Sequence, residues 1–128
     1  MPQTATQLKS VANVMVPVKD QDAAIAYYTE TLGFEVRADM PFGEGERWIE
    51  VGLPGAETTV ALCVERGEWT AGRQTGITLA TEDIDAVHAR LREAGSDVDA
   101  EVSRFGDPVP PMFWFRDQDA NNLLVVAV

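Results

Sequence analysis

Residues 11–34, VANVMVPVKDQDAAIAYYTETLGF, and residues 76–98, GITLATEDIDAVHARLREAGSDV, decide the fold, because each reads as a strand running into a helix. In the first stretch Val14, Val16 and Val18 alternate with Asn13, Met15 and Pro17, the period of a half-buried strand. Asp20 or Asp22 then supplies a helix N-cap, and Ala23, Ala24, Ile25, Ala26, Tyr28 and Leu32 recur with helical spacing. Gly33 stands where a helix ends, and Phe34 to Arg37 restarts as a strand. Beyond it, Pro41 to Glu46 is a glycine-containing loop and Arg47 to Val51 a strand. The turn Leu53-Pro54-Gly55-Ala56 leads into a β-branched, apolar strand from Thr58 to Val64. The order is β-α-β-β-β.

The second stretch begins the same series again. Gly76 to Thr81 is a strand, Glu82-Asp83-Ile84-Asp85 opens an amphipathic helix that ends at Gly95, and Asp97 to Val102 is a strand. A proline-rich loop, Phe105 to Pro111, separates this from strands at Met112 to Arg116 and Asn122 to Ala127. Asp20 and Asp22 superimpose on Asp83 and Asp85, Gly33 on Gly95, and the turn at Leu53 on the turn at Asp117. An internal repeat in this order predicts an α+β domain spanning 1–128, built of two tandem βαβββ modules at roughly 11–65 and 75–128. The modules form a curved mixed sheet with helices on the convex face, so the concave face is left open.

Composition narrows the function. Acidic residues outnumber basic ones 21 to 10, for a formal charge of −11, which disfavours nucleic acid and anionic membrane as partners. A single cysteine excludes an internal disulfide, and a single histidine, His88, excludes any site needing two imidazoles from one chain. Met1 to Gln7 carries no basic segment followed by an apolar one, and the longest apolar run, Leu123 to Val128, falls far short of the roughly 20 residues that span a bilayer. A cytoplasmic location is the expectation.

The paired modules, the run Val14-x-Val16-x-Val18-Lys19-Asp20 leading into Tyr27-Tyr28-x-x-x-Leu32-Gly33-Phe34, and the late Phe115-Arg116-Asp117-Gln118-Asp119-Ala120-Asn121 together resemble the vicinal oxygen chelate superfamily. That group contains glyoxalase I, extradiol dioxygenases, fosfomycin-resistance enzymes and bleomycin-resistance proteins. The resemblance extends over nearly all of the chain after residue 10 and implies the glyoxalase/bleomycin-resistance fold. In the last turn Gln118 and Ala120 replace the usual proline and glycine, and Ala120 is expected to avoid positive φ. Family enzymes chelate a metal from cavity-facing positions that fall here on Asn13, Val60, Gly76 and Leu124. Three of these have no donor side chain, and His88 lies mid-helix, so no metal and no cofactor are expected.

Strand alternation lines the cavity with other chemistry. Asn13, Met15, Trp48, Glu50, Met112, Trp114 and Arg116 face inward, Val60, Leu62 and Leu124 add aliphatic wall, and Phe42, Trp69 and Phe105 stand in loops at the rim. Cys63, with the parity of Ala61, is expected on the helix side as an inert buried thiol. Glu50, between Trp48 and apolar walls, is the one candidate general base, with a pKa raised by desolvation; it serves equally to pair with an arginine or to bind a polar ligand. The resemblance then implies a metal-independent protein of bleomycin-resistance type. Such a protein is a homodimer that sequesters a planar aromatic or cationic natural-product antibiotic for self-resistance. Two other readings stand beside it: a lyase, isomerase or dioxygenase of the same superfamily, and a module that binds a partner peptide.

Overall fold

A computed structural model describes residues 6–128; the N-terminal reading above rests mostly on residues 1–5, outside that range. The first module contains β1 (Asn13–Val18), α1 (Gln21–Ala26) continued by one π-helical turn (Tyr27–Thr31), β2 (Glu35–Pro41), β3 (Arg47–Gly52) and β4 (Thr59–Val64). The second contains β5 (Gln74–Thr81), α2 (Ile84–Glu93), β6 (Asp97–Val98), β7 (Met112–Arg116) and β8 (Asn122–Ala127). Each module forms a four-stranded mixed sheet, in the orders β1-β4-β3-β2 and β5-β8-β7-β6. In each, the first and last strands pair in parallel and the other neighbours run antiparallel. The last module-two strand before the proline-rich loop is shorter than its sequence suggests, two residues in place of Asp97 to Val102.

The repeat extends to the caps. Asp20 accepts the N–H of Ala23 at the start of α1, and Asp83 accepts that of Ala86 at the start of α2, both at 3.1 Å. Val16, Val18, Ala24, Tyr28, Ile49, Val51 and Leu62 form the first core, and Ile84, Leu91, Phe113, Phe115, Leu123 and Val125 the second. Tyr27, Leu32, Ile77 and Leu79 pack against both, so the helix-bearing sides of the two modules share one apolar seam.

Polar contacts lock that seam. The turn between β7 and β8 is buried at its two ends, with Asp117 5% and Asn121 0% exposed. Asp117 Oδ1 accepts the N–H groups of Asp119 and Asn121, while Oδ2 accepts the hydroxyl of Tyr28 at 2.8 Å and the amide of Asn121 at 3.1 Å. The Asn121 side chain also donates to the Pro17 carbonyl at the far edge of the first module and accepts the N–H of Gly72 from the linker. The Lys19 N–H reaches Asp119 at 2.9 Å.

One local reading is corrected. Ala120 adopts φ 64°, the left-handed conformation it was expected to avoid. The hydrogen bonds of Asp117 and Asn121 hold the turn in this geometry whatever residue stands at its tip. Gly76, where a chelating side chain would stand, lies at φ 75° in an irregular stretch of β5 between Gln74 and Thr78, a conformation that favours glycine.

These contacts make two stability predictions. Asp117→Ala leaves the Tyr28 hydroxyl and the Asn121 amide without their buried acceptor and is expected to cost roughly 3–4 kcal/mol in chemical denaturation. Ala120→Gly relieves the left-handed strain and is expected to add about 0.5–1 kcal/mol, read as a higher denaturation midpoint at unchanged slope.

Candidate functional site

Register fixes which side chains reach the open face of the first sheet. β1 and β4 pair Val14 with Val60, Met15 with Ala61, Val16 with Leu62 and Pro17 with Cys63. Laterally paired residues share a face. Because Val16 and Val18 are buried against the helix, Val60 and Leu62 go with them into the core, 6% and 0% exposed. The expectation that Val60 and Leu62 line the cavity is therefore corrected, and so is that for Cys63, which takes the open face with Met15 and Ala61. Thr59 to Val64 is apolar throughout, so no hydrophobic alternation marks its phase; its pairing partner does.

On this face lies a cavity of about 670 Å³ lined by Met15, Phe42, Trp48, Cys63, Trp69, Glu46 and Arg66. Met40 stands beside Trp48 across β2 and β3. Phe42 meets Trp48 edge to face with ring centroids 6.1 Å apart. Trp69 is held by a pair of backbone hydrogen bonds with Arg66, at 3.0 and 2.8 Å. Arg66 in turn reaches both carboxylate oxygens of Glu46 at 2.6 and 2.7 Å. This pair ties the loop that carries Phe42 to the segment that carries Trp69. Burial, with the nearby Glu46 carboxylate, pushes the Cys63 thiol above its ordinary pKa, so it stays protonated at neutral pH.

Glu50 has a different part from the one its sequence suggests. Oε2 accepts the indole N–H of Trp48 at 2.7 Å and Oε1 accepts the Thr59 hydroxyl at 2.5 Å. These hydrogen bonds, that of Thr59 first, hold its pKa below the usual carboxylate value, against a smaller opposing effect of burial. The expected raised pKa is thus reversed. Glu50 is an anion with both oxygens engaged, and its effect is to fix the plane of the Trp48 ring.

The second sheet presents its own open face. Trp114 is 37% exposed there, with Leu124 directly opposite on β8 and Met112 opposite Val126. Arg116 is committed to Asp97 at 2.8 Å and Asp99 at 3.0 Å, which raise its pKa and hold it at the edge of the sheet. Phe105, in the proline-rich loop, is 69% exposed. None of Phe105, Met112, Trp114, Arg116 or Leu124 lines the cavity that contains Trp48. The two aromatic faces, expected to build one cavity, lie on separate sheets whose helix-bearing sides pack together. Trp48 and Trp114 also differ in position. Pairing places Glu50 opposite Ala61 and Trp114 opposite Leu124, so Trp114 is the counterpart of Glu50 and Met112 that of Trp48.

The positions at which this scaffold would chelate a cation do not fit one. Asn13 is half-buried on β1, Gly76 has no side chain, the open-face residue of β4 is Ala61, and its counterpart on β8 is Leu124. Among the described residues no three His, Cys, Asp or Glu side chains converge. His88 lies on α2, with Nε2 2.7 Å from the Asp99 carbonyl and its ring edge-on to Phe113. Ala61 and Cys63, read from sequence on the helix side, stand on the open face, and Met40, Glu46 and Arg66 were not singled out from sequence. The first two become legible once β4 is paired with β1.

Comparisons with known proteins agree with this architecture. The family model described as "Glyoxalase/Bleomycin resistance protein/Dioxygenase superfamily" matches residues 10–125. The crystal structure of TnmS3, described as an antibiotic binding protein from Streptomyces sp. CB03234, is 35% identical, with a TM-score of 0.83 over 95% of this chain and 98% of that one. A superfamily member from Sphaerobacter thermophilus DSM 20745 is 34% identical with a TM-score of 0.83, covering 94% of this chain and 98% of that one. The uncharacterized protein YetH of Bacillus subtilis (strain 168) is 30% identical over 126 residues, 92% of this chain and 98% of the relative. Among the described residues no helix is long and apolar enough to cross a membrane.

The Glu50 contacts yield a pH-dependent prediction. Gln at position 50 offers one acceptor where the Thr59 hydroxyl and the Trp48 indole need two. Glu50→Gln is therefore expected to cost about 1–2 kcal/mol at neutral pH. A carboxylate whose folded pKa is depressed stabilises the fold above its unfolded pKa of about 4.3, and that contribution is lost as pH falls through the lower folded value. The difference between variant and parent should thus shrink on acidification, and the tryptophan emission of the parent should shift over the same range while that of the variant does not.

Proposed function

The chain belongs to the glyoxalase/bleomycin resistance protein/dioxygenase superfamily, and on that premise we propose that it is a metal-independent binding protein that sequesters a planar aromatic antibiotic without altering it. The observation that carries this reading is the cavity of about 670 Å³ walled by Met15, Phe42, Trp48 and Trp69 on a face whose chelating positions offer no donor side chain beyond Asn13. Aromatic walls stack on a polycyclic ligand, each good contact adding about 0.5–1.5 kcal/mol beyond area burial. Glu50 holds one of those walls in a fixed plane before the ligand arrives, which reduces the ordering cost of binding. The charge of −11 favours encounter with a cationic ligand over an anionic one. The likeness to TnmS3, described as antibiotic binding, supports the same class of ligand.

A homodimer completes the site in this proposal. Met15, Met40 and Phe42 remain about half exposed on the first open face, and Trp114 is exposed on the second. Apolar patches of this kind mark interaction surfaces. Trp114, Met112 and Leu124 of a second copy would form the wall opposite Trp48, giving two equivalent pockets per dimer, with Asn13 at the edge of each.

The reading is tested by tryptophan quenching and calorimetry against bleomycin, mitomycin, an anthracycline and an enediyne. At least one is expected to bind with Kd below about 1 μM and to be recovered chemically intact. Trp48→Ala should weaken that complex at least tenfold, and Trp114→Ala should do the same, with two ligands per dimer in sedimentation. Failure of all four to bind below about 10 μM would refute sequestration, as would a modified product or one tightly bound transition metal per chain.

A further inference from the structure

At the seam between the modules, on the helix-bearing side, lies a second cavity of about 180 Å³, separate from the tryptophan-lined one. Leu32, Phe34 and Leu53 of the first module and Leu79, Leu91 and Phe115 of the second supply an apolar wall. The π-helical turn at Tyr27–Thr31 delivers Thr31 and Leu32 to it, and turns of this type recur at functional sites. Three polar side chains, Arg90, Thr31 and Thr81, line the same cavity.

Arg90 stands apart from the other arginines. Arg47, Arg66, Arg104 and Arg116 are paired with carboxylates. Arg37, Arg73 and Arg92 donate to backbone carbonyls. Among the described arginines Arg90 alone has neither an ion pair nor a side-chain hydrogen bond, in a chain where acidic residues outnumber basic ones two to one. Arg90 is exposed and lines this apolar cavity together with Thr81, whose hydroxyl oxygen already accepts the Asp83 N–H and whose proton is free to donate.

From this arrangement we infer a second ligand site, for a small amphipathic anion: an aliphatic carboxylate whose chain fills the seam and whose head group lies on Arg90. An apolar chain alone would leave the guanidinium unused, and a cation of the same shape would be repelled by it. A carboxylate accepts two parallel N–H donors from a guanidinium, and the Thr81 hydroxyl adds a third. Because the walls come from both cores, an occupant bridges the modules and stabilises their packing by mass action. The site is independent of the tryptophan-lined cavity and of what that cavity binds.

The test is a calorimetric and amide-shift titration of the whole chain with butanoate, hexanoate and octanoate, with octanol and octylammonium as controls. Affinity is expected to rise by up to about fourfold per added methylene, and octanoate should bind at least tenfold more tightly than either control. Amide shifts should gather on Leu79, Ala80 and Val87. Arg90→Gln should lose at least tenfold in octanoate affinity, Arg90→Lys should recover part of it, and neither should change binding of a planar aromatic ligand at the other face. Equal octanoate binding by parent and Arg90→Gln would overturn the inference. So would shifts centred on Trp48 or Trp114, or the absence of any binding at millimolar octanoate.

Discussion

The buried carboxylate of Asp117 is the constraint on which the rest of the structure depends. It organises its own turn through the N–H groups of Asp119 and Asn121, and it accepts the hydroxyl of Tyr28 from the other module. Asn121 extends the same network to Pro17 and Gly72. An anion this deeply buried is stable only when its lone pairs are filled, and here four donors fill them. Burial and the facing carboxylate in turn push the Tyr28 hydroxyl well above its ordinary pKa, so the donor stays protonated at neutral pH. The network thus joins edge strand, π-helical turn, linker and final hairpin at one point, and the apolar seam closes around it.

That network also explains a local exception. An alanine in the left-handed region costs about 1–2 kcal/mol, and propensity alone argues against Ala120 at φ 64°. Propensity is a local term. The geometry of the turn is set by hydrogen bonds that reach across the molecule, and these outweigh one strained residue. The turn survives the loss of its usual glycine because the residues on either side of the tip, Asp117 and Asn121, are the ones that carry the contacts.

Element order, caps and the twofold repeat were legible in the sequence, since each has a local physical cause. Val14, Val16 and Val18 alternate with less apolar neighbours, so the buried face of β1 could be named. β4 could not be phased in this way, because Thr59-Val60-Ala61-Leu62-Cys63-Val64 is buried on both sides of the strand for all but its last residue. Only the parallel register with β1 sets its faces, and register is a long-range property. The same applies to Glu50. Its acidic character and its face were readable, but its pKa depends on Thr59 and Trp48, and the Thr59 hydroxyl arrives from the neighbouring strand. Nor could strand parity show that the open faces of the two sheets build no common cavity within one chain, since parity describes one strand at a time.

Period-two alternation also separates what the fold requires from what a site requires. Helix-facing residues of each sheet are packed into a core, and substitutions there carry the cost of a cavity or a clash. Open-face residues that keep exposed surface, such as Met15, pack against less within the chain and accept replacement at small cost to folding. This freedom is uneven. Ala61, in regular β4, has a backbone conformation open to any residue but no exposed surface, so a larger side chain there would have to displace its neighbours. Gly76 lies at φ 75°, where most side chains would be strained, so a donor cannot be restored there without reshaping β5. Positions on the open faces thus differ in what they can accept: packing limits position 61 and backbone conformation limits position 76.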